Sequence, residues 1–275
     1  MEAQATPTIP TLDDARTTAY LARLGVARAS VAVDRAGLSD LHERHLRAIP
    51  FENLSIHLGE PIVLDVASLV DKLTVRGRGG FCYELNGAFA ALLTTLGFDV
   101  AMYEARVGSD GGGMRFDHMC LRVRSGGHDH LADVGFGASF LRPLDLRTAA
   151  PQSDPAGTYQ VMSAGDGEFD MLEDGEPQFR FTAVPRALPD FADACRFHQT
   201  SPASHFTQRT VCSLPTAAGR VTISGRTLIV TEHDRRSERV VESDDELLDL
   251  YRRYFGIVLD RPPQRTTHVR EDHNP

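Results

Sequence analysis

The chain has no long apolar run, no excess of basic charge and few cysteines, and each shortage removes a class of function. Nowhere in its 275 residues is there an apolar stretch of the roughly 20 residues that a bilayer-spanning helix needs. The first 20 residues contain no basic segment leading into an apolar one, so a secretory leader is not expected and a soluble, cytoplasmic protein is. With 29 Lys and Arg against 38 Asp and Glu, the formal net charge is −9. That sign repels phosphate backbones and anionic lipid, which speaks against nucleic acid and membrane as partners. Four cysteines (Cys82, Cys120, Cys195, Cys212) with no CxxC pair make neither a disulfide framework nor a structural zinc site. No repeat and no low-complexity domain is present. What remains is 41% hydrophobic and 24% charged, with 23 Gly and 15 Pro spread along the chain, a composition that folds. At this length a single core begins to divide, so two or three packed subdomains are expected. Hydrophobic content alone reveals no interface, and self-association into a homo-oligomer stays open.

Periodicity divides the chain. Apolar residues at helical spacing mark helices over residues 11–24, with Thr11 or Asp13 as cap and Gly25 as stop, over 39–49, ended by Pro50, over 65–73 and over 81–96, closed by Gly97. The period then changes. Residues 98–107, 116–124 and 129–136 read as short strands between glycine-rich turns, followed by strands at 158–163, 168–173 and 178–184. After Pro189 the pattern is mixed: a helix near 191–197, strands at 210–213, 220–224 and 227–231, and a closing helix at 244–255. The stretch from Gly108 to Gly113 lacks the Lys and Ser or Thr of a phosphate loop and reads as a flexible turn. The polar tail from Arg261 reads as mobile towards its end.

One cysteine stands apart. Cys82 follows Arg78-Gly79-Gly80-Phe81 and opens a helix, where unpartnered backbone N–H groups favour the thiolate and lower the thiol's pKa. The two glycines let backbone and substrate approach closely. The other three cysteines read as small buried hydrophobes. A nucleophilic thiol needs a base, and the strand region offers His118 and Asp133. A hairpin turning at Ser125-Gly126 puts 118 directly opposite 133, and one turning at Gly126-Gly127 makes them diagonal neighbours on the same face. Cys82 as nucleophile, His118 as base and Asp133 as the group that orients the imidazole define acyl transfer or hydrolysis without naming a substrate.

Several segments, in order, carry a family resemblance. They are Leu41-His42-Glu43-Arg44-His45 leading to Ile49-Pro50-Phe51-Glu52-Asn53-Leu54; Arg78-Gly79-Gly80-Phe81-Cys82 with Glu84, Asn86 and Phe89; Phe116-Asp117-His118-Met119; Asp133-Val134-Gly135-Phe136-Gly137; and Ser201-Pro202-Ala203-Ser204-His205-Phe206. Across residues 12–210 the sequence resembles an arylamine N-acetyltransferase. The resemblance implies an α+β fold with a cysteine-protease-like core: an N-terminal helical bundle carrying the nucleophile (1–97), a central antiparallel β-barrel carrying the His and Asp (98–189), and a C-terminal α/β lid (190–275). It implies acetyl transfer from acetyl-CoA, as co-substrate and with no metal, to the nitrogen of an arylamine or arylhydrazine by a ping-pong route. By the same resemblance Phe51, Phe136 and Phe206 wall the acceptor pocket. Gly135 and Gly137 follow a strand, where a backbone without side chains lets CoA approach; a tight turn explains them equally well. Asp117 departs from the small hydroxylated residue that many relatives carry before the histidine.

Other readings share these residues. An amide synthase closing a macrolactam would use the same triad on a much larger acyl group. A papain- or transglutaminase-like hydrolase shares the residue order, though the PFEN and SPxSxF segments argue against it, and a binding module would leave Cys82 inert. His42, His45 and His57 could be imagined as metal ligands, but His45 lies on the apolar stripe with His42 beside it, which favours packing or a polar bond.

Overall fold

The computed structural model describes residues 7–108, 112–233 and 235–264. Three of its helices begin where an aspartate accepts an otherwise unpartnered backbone N–H: Asp13 before α1 (Asp14–Arg23), Asp34 before α2 (Arg35–Ala48) and Asp65 before α4 (Val66–Thr74). Gly25, in the left-handed region at φ +67°, turns the chain after α1. The first turn of α2, Arg35-Ala36-Gly37, has no apolar residue on the stripe, so the helix begins ahead of the 39–49 that apolar spacing predicts. Between α2 and α4 lie β1 (Phe51–Glu52) and α3 (Leu54–Leu58), too short to leave a periodic signal. The fifth helix, α5 (Cys82–Thr95), is buried continuously from Cys82 to Leu93. A helix apolar all round belongs at the centre, and α5 joins the core of the other helices to that of the first sheet.

That sheet contains β2 (Asp99–Val107), β3 (His118–Ser125), β4 (His128–Ala132), β5 (Leu144–Asp145), β6 (Gln152–Asp154), β7 (Gly157–Gly165), β8 (Glu168–Glu173) and β9 (Glu176–Arg186), antiparallel throughout and ordered β5-β4-β3-β2-β9-β8-β7-β6. Its outermost strands meet through one side chain: Asp145 N–H donates to Gln152 Oε1 at 2.8 Å, and Gln152 Nε2 donates to the Asp145 carbonyl at 3.0 Å. The sheet is thus a nearly closed barrel around Phe140, Tyr159, Phe179 and Phe181.

The chain then runs through α6 (Ala192–Thr200) and α7 (His205–Gln208) into β10 (Val211–Pro215), β11 (Gly219–Ser224), β12 (Thr227–Glu232), β13 (Arg235–Val240) and α8 (Asp244–Phe255). The second sheet is ordered β1-β10-β11-β12-β13. Its first strand comes from the helical part of the chain, with Phe51 opposite Ser213 and Glu52 opposite Cys212. Leu247, Leu250, Tyr251 and Phe255 of α8 pack on Val221, Ile223 and Leu228. The sequence reading misses β13 because this edge strand is exposed at every residue and so has no hydrophobic alternation.

Two expected mobile stretches fall largely outside the described residues: 109–111 in the glycine-rich turn and 265–275 in the tail. The start of the tail is tied down, since Arg261 donates to the Leu58 carbonyl and Gln264 N–H to that of His57. Among the described residues no helix is long and apolar enough to cross a membrane.

Candidate active site

The turn before Cys82 is braced by buried charge. Arg78 places Nη2 2.9 Å from Glu52 Oε1 and Nη1 3.2 Å from Glu60 Oε2. Lys72, the only lysine in the chain, pairs with Glu84 at 2.6 Å. The other Glu84 oxygen accepts the Phe81 N–H at 3.2 Å, pinning the residue that precedes the helix. Burial raises the Glu84 pKa, opposed by Lys72. Removing one partner of such a pair leaves a buried charge uncompensated, so the network holds the loop in one shape. The glycines serve that shape more than a substrate: a β-carbon on Gly79 would lie 1.9 Å from the Pro50 carbonyl oxygen, and one on Gly80 2.7 Å from Glu84.

On the barrel side, Ser125 pairs with His128, so the hairpin turns at Gly126-Gly127. Both glycines have positive φ, at 59° and 78°, as a two-residue type I′ turn requires. Of the two registers open to the sequence, the chain adopts the one that sets His118 and Asp133 diagonally. With β4 ending at Ala132, Asp133 Oδ2 reaches His118 Nε2 at 2.6 Å. Its Oδ1 accepts from Asn86 Nδ2 and from Gly135 N–H, both at 2.9 Å. The Asp133 N–H donates to His42 Nε2 at 3.0 Å, and His42 Nδ1 donates to the Leu141 carbonyl at 2.9 Å. His42 is therefore a neutral imidazole with the proton on Nδ1, in keeping with burial, which lowers its pKa.

Asn86 is the positioning residue that the sequence reading quoted but assigned no role. Its amide nitrogen also donates to the Met119 carbonyl at 2.6 Å, and its oxygen accepts the Val134 N–H at 2.9 Å. It thus clamps the His118 strand, Asp133 and the helix that Cys82 opens together. The available signal was its spacing: four residues after Cys82, on the same helix face.

Cys82, His118, Gly135, Phe51, Phe136 and Phe206 all line one cavity of about 430 Å³, completed by Asn53, Val107, Asp117, His205, Arg209, Thr210, Val211 and Ser224. Phe136 and Phe179 pack against the His118 ring with centroids 5.2 and 5.1 Å away, and Phe51 and Phe206 lie 6.2 Å apart. A larger cleft, about 990 Å³, shares Arg209 and Thr210 with it. Gly135 is a glycine because a β-carbon there would lie 2.7 Å from Cys82 Cα. Gly137, at φ +96° and with Phe51 against it, needs left-handed backbone freedom; it is not among the lining residues.

One expectation is reversed. The helix start was expected to lower the Cys82 pKa, but the side chain is buried, with the residue only 3% exposed. Burial pushes the thiol well above its ordinary range and the Asp133 charge adds to this, while the Met119 backbone N–H works against it. Desolvation outweighs the helix terminus.

The histidines once imagined as metal ligands have other partners. Tyr20 Oη lies 2.8 Å from His45 Nε2, and His57 Nε2 lies 2.9 Å from the Phe206 carbonyl. Among the described residues no three His, Cys, Asp or Glu side chains converge as a metal-binding group.

Residues 34–263 match the family described as N-acetyltransferase. Arylamine N-acetyltransferase 1 of Bos taurus is 32% identical, over 88% of this chain and 94% of that one; arylamine N-acetyltransferase 1 of Homo sapiens is 30% identical with the same coverage. Among solved structures, the M. smegmatis arylamine N-acetyltransferase superposes with a TM-score of 0.83 at 30% identity, covering 92% of this chain and 97% of its own. The Mycobacterium marinum arylamine N-acetyltransferase in complex with CoA superposes at 0.78 and 29% identity, covering 88% and 92%. A family match over most of the chain, relatives aligned nearly end to end and a shared mixed helix-and-barrel fold lead to one conclusion: the protein belongs to the arylamine N-acetyltransferase family.

Proposed function

We propose that the protein carries acetyl from acetyl-CoA to the nitrogen of an arylamine or arylhydrazine through an acetylated Cys82, in ping-pong order. The observation that carries this reading is the 2.6 Å bond between His118 Nε2 and Asp133 beside a cavity that His118 shares with Cys82. With Nε2 committed, Nδ1 is left to exchange a proton. His118 takes the proton of the Cys82 thiol as sulfur attacks the thioester carbonyl; the bond to the CoA sulfur breaks, and CoA leaves as a thiol carrying that proton. The amine nitrogen then attacks the acetyl carbon and loses a proton to His118, and the Cys82 sulfur departs and is reprotonated. Asp133 orients the ring and stabilises the imidazolium. A base is required because burial disfavours the free thiolate.

The first step exchanges one thioester for another at little cost, and a neutral aromatic amine needs no prior deprotonation. Water is the competitor, and the walls formed by Phe51, Phe136 and Phe206 favour a flat apolar acceptor over it. The N–H groups of Cys82 and Tyr83, first in α5, have no acceptor within the helix and are the donors proposed for the developing oxyanion. We assign Gly135, and Gly137 next to it, to the path by which CoA reaches the thiol; the CoA complex of the M. marinum relative supports acetyl-CoA as the donor. A cavity of about 430 Å³ suits an aromatic ring and an acetyl group, which favours acetyl transfer over macrolactam closure.

The test is to mix the protein with acetyl-CoA, with and without aromatic amines and hydrazines, and to follow free CoA. Amine-dependent release is expected, with acetylated Cys82 detected by mass spectrometry when amine is withheld. Release that ignores amine would turn the reading to a hydrolase. Cys82→Ala and Cys82→Ser are expected to abolish turnover while leaving the melting temperature near that of the parent; retained turnover would remove Cys82 as nucleophile.

A further inference from the structure

The cavity carries a carboxylate, Asp117, with a buried histidine behind it, that the transfer just described does not use. His198 is 2% exposed. Its Nε2 lies 3.0 Å from Asp117 Oδ1, and its Nδ1 lies 2.9 Å from Ser204 Oγ, which in turn accepts the Phe206 N–H at 3.3 Å. The ring is held edge-on against Phe206, with centroids 5.2 Å apart. Asp117 itself is built into place. Tyr83 Oη donates to the carbonyls of Phe116 and Asp117 at 2.7 and 3.1 Å. Phe116 adopts left-handed backbone at φ +62°, uncommon for a bulky residue, with the guanidiniums of Arg115 and Arg186 each 5.4 Å from its ring and both bound to Glu104.

This construction keeps an acidic side chain, 18% exposed, on the wall of the cavity that Phe51, Phe136 and Phe206 also line. Among the described residues the Asp117 carboxylate has one close neighbour, the His198 Nε2 that lies 3.0 Å from Oδ1 without the geometry of a hydrogen bond, so its oxygens are available to a ligand. Its charge is felt by Cys82 and by His205, both of which line the same cavity. Arg209, the cationic residue of the lining, is exposed, donates to the Ser224 carbonyl and also lines the neighbouring cleft. It is therefore not the counter-ion of Asp117.

We propose that Asp117, set on the cavity wall beside His198, selects the acceptor: its carboxylate takes a hydrogen bond or ion pair from a donor or cationic substituent of the arylamine and disfavours one bearing a carboxylate. The inference rests on reading this cavity as the acceptor site. An ionised carboxylate only accepts hydrogen bonds, so two of them facing each other in a sheltered cavity repel and stay unpaired, whereas an ammonium or hydroxyl completes the bonding.

The test compares 4-aminobenzylamine, an ammonium at neutral pH, with aniline and 4-aminobenzoate. Dissociation constants are measured on Cys82→Ala protein, where no turnover intervenes, and kcat/KM with acetyl-CoA on protein that keeps the thiol. The parent should favour the cation over the anion in both measurements. Asp117→Asn, nearly the same shape, should reduce that preference by about tenfold or more, and His198→Gln should weaken it in the same direction. Should Asp117→Asn fail to fold, Asp117→Thr is read in the same way. A cation-to-anion ratio unchanged within twofold by the position-117 variant overturns the proposal. Amines that bind with the expected ratio but are never acetylated would remove the proposed function and leave this inference standing. Failure of all three amines to bind would remove both.

Discussion

Gly135 sits so close to the first turn of α5 that a β-carbon on it would lie 2.7 Å from Cys82 Cα and 2.8 Å from Asn86 Nδ2. The loop that carries Asp133 therefore touches the backbone of α5, where two of the three nearest atoms belong to the Cys82 backbone and cannot swing aside. Gly135→Ala is expected to force the loop and α5 apart, costing about 1–3 kcal/mol of stability as overpacking does. Acetyl transfer should fall by at least about tenfold, since reacting groups misplaced by an ångström lose that much or more. Thermal unfolding and kcat/KM check both halves, and a variant with parental activity would refute the close-contact argument.

Asn86 offers a gentler test of the same junction. Its amide bonds Asp133 Oδ1, the Met119 carbonyl and the Val134 N–H, all buried. Asn86→Ala removes the side-chain acceptor of the Val134 N–H, at about 1–3 kcal/mol, and takes one bond each from the Met119 carbonyl and from Asp133, which keeps Gly135 and His118; it should reduce kcat while acetyl-CoA still acylates some of the protein. Asn86→Asp should be worse for activity, because it sets a second carboxylate beside Asp133 and weakens the latter's hold on the His118 imidazolium.

The buried thiol sets a pH expectation. Burial and the Asp133 charge raise the Cys82 pKa, so without its base the thiolate fraction grows only as pH climbs through the alkaline range. In His118→Gln, alkylation of Cys82 by iodoacetamide should be slow at neutral pH and still accelerating above pH 9, whereas the parent reacts readily at pH 7. Fast, pH-independent labelling of His118→Gln near pH 6 would mean that the helix start alone ionises the thiol. Cys120 and Cys212 are buried with raised pKa values as well, and Cys195 is pushed up to about 12. None of these three lines the cavity that Cys82 lines, so Cys82 should be labelled first on access alone.

Acid stability should follow His45. Burial lowers its pKa from 6.5 to about 3, so below pH 6.5 the unfolded chain takes up a proton that the folded one refuses. Stability is therefore full above about pH 6.5 and lost as pH falls towards 3, by on the order of 4 kcal/mol if the whole window is traversed. His45→Gln, which can keep the bond to Tyr20 without titrating, should flatten the slope of melting temperature against pH between 6 and 4. His42, also buried with a lowered pKa, keeps some slope. An unchanged slope would assign the acid sensitivity elsewhere.

Much of the fold was legible because its signals are local. The aspartate caps, the glycine stops and the apolar stripes of α1, α4, α5 and α8 are set within a few residues of chain, and so are the alternating strands of the barrel. The elements missed are those whose order comes from a partner. Phe51–Glu52 is a strand only because β10 lies beside it, β13 is an exposed edge, and β5 and β6 are two and three residues long, held by β4 and β7. In the active site, the thiol at a helix start and the His–Asp pair on one hairpin face were readable from spacing. Residues 42, 86 and 198 were not given their roles, since a buried polar side chain declares itself only by what it bonds.

By itself, the sequence determined which chemical groups are available and where along the chain they stand: one cysteine opening a helix, a histidine and an aspartate on neighbouring strands, and phenylalanines in recurring short motifs. Tertiary structure alone decided three further things. It chose the hairpin register, because Gly126 and Gly127 both take up left-handed backbone and the barrel must close around its core. It reversed the expected shift of the Cys82 pKa, because desolvation is a property of everything packed around a sulfur and not of the residues next to it in the chain. It also brought Asp117 onto His198 across the cavity wall, a contact between residues 81 apart in sequence, which no local pattern encodes.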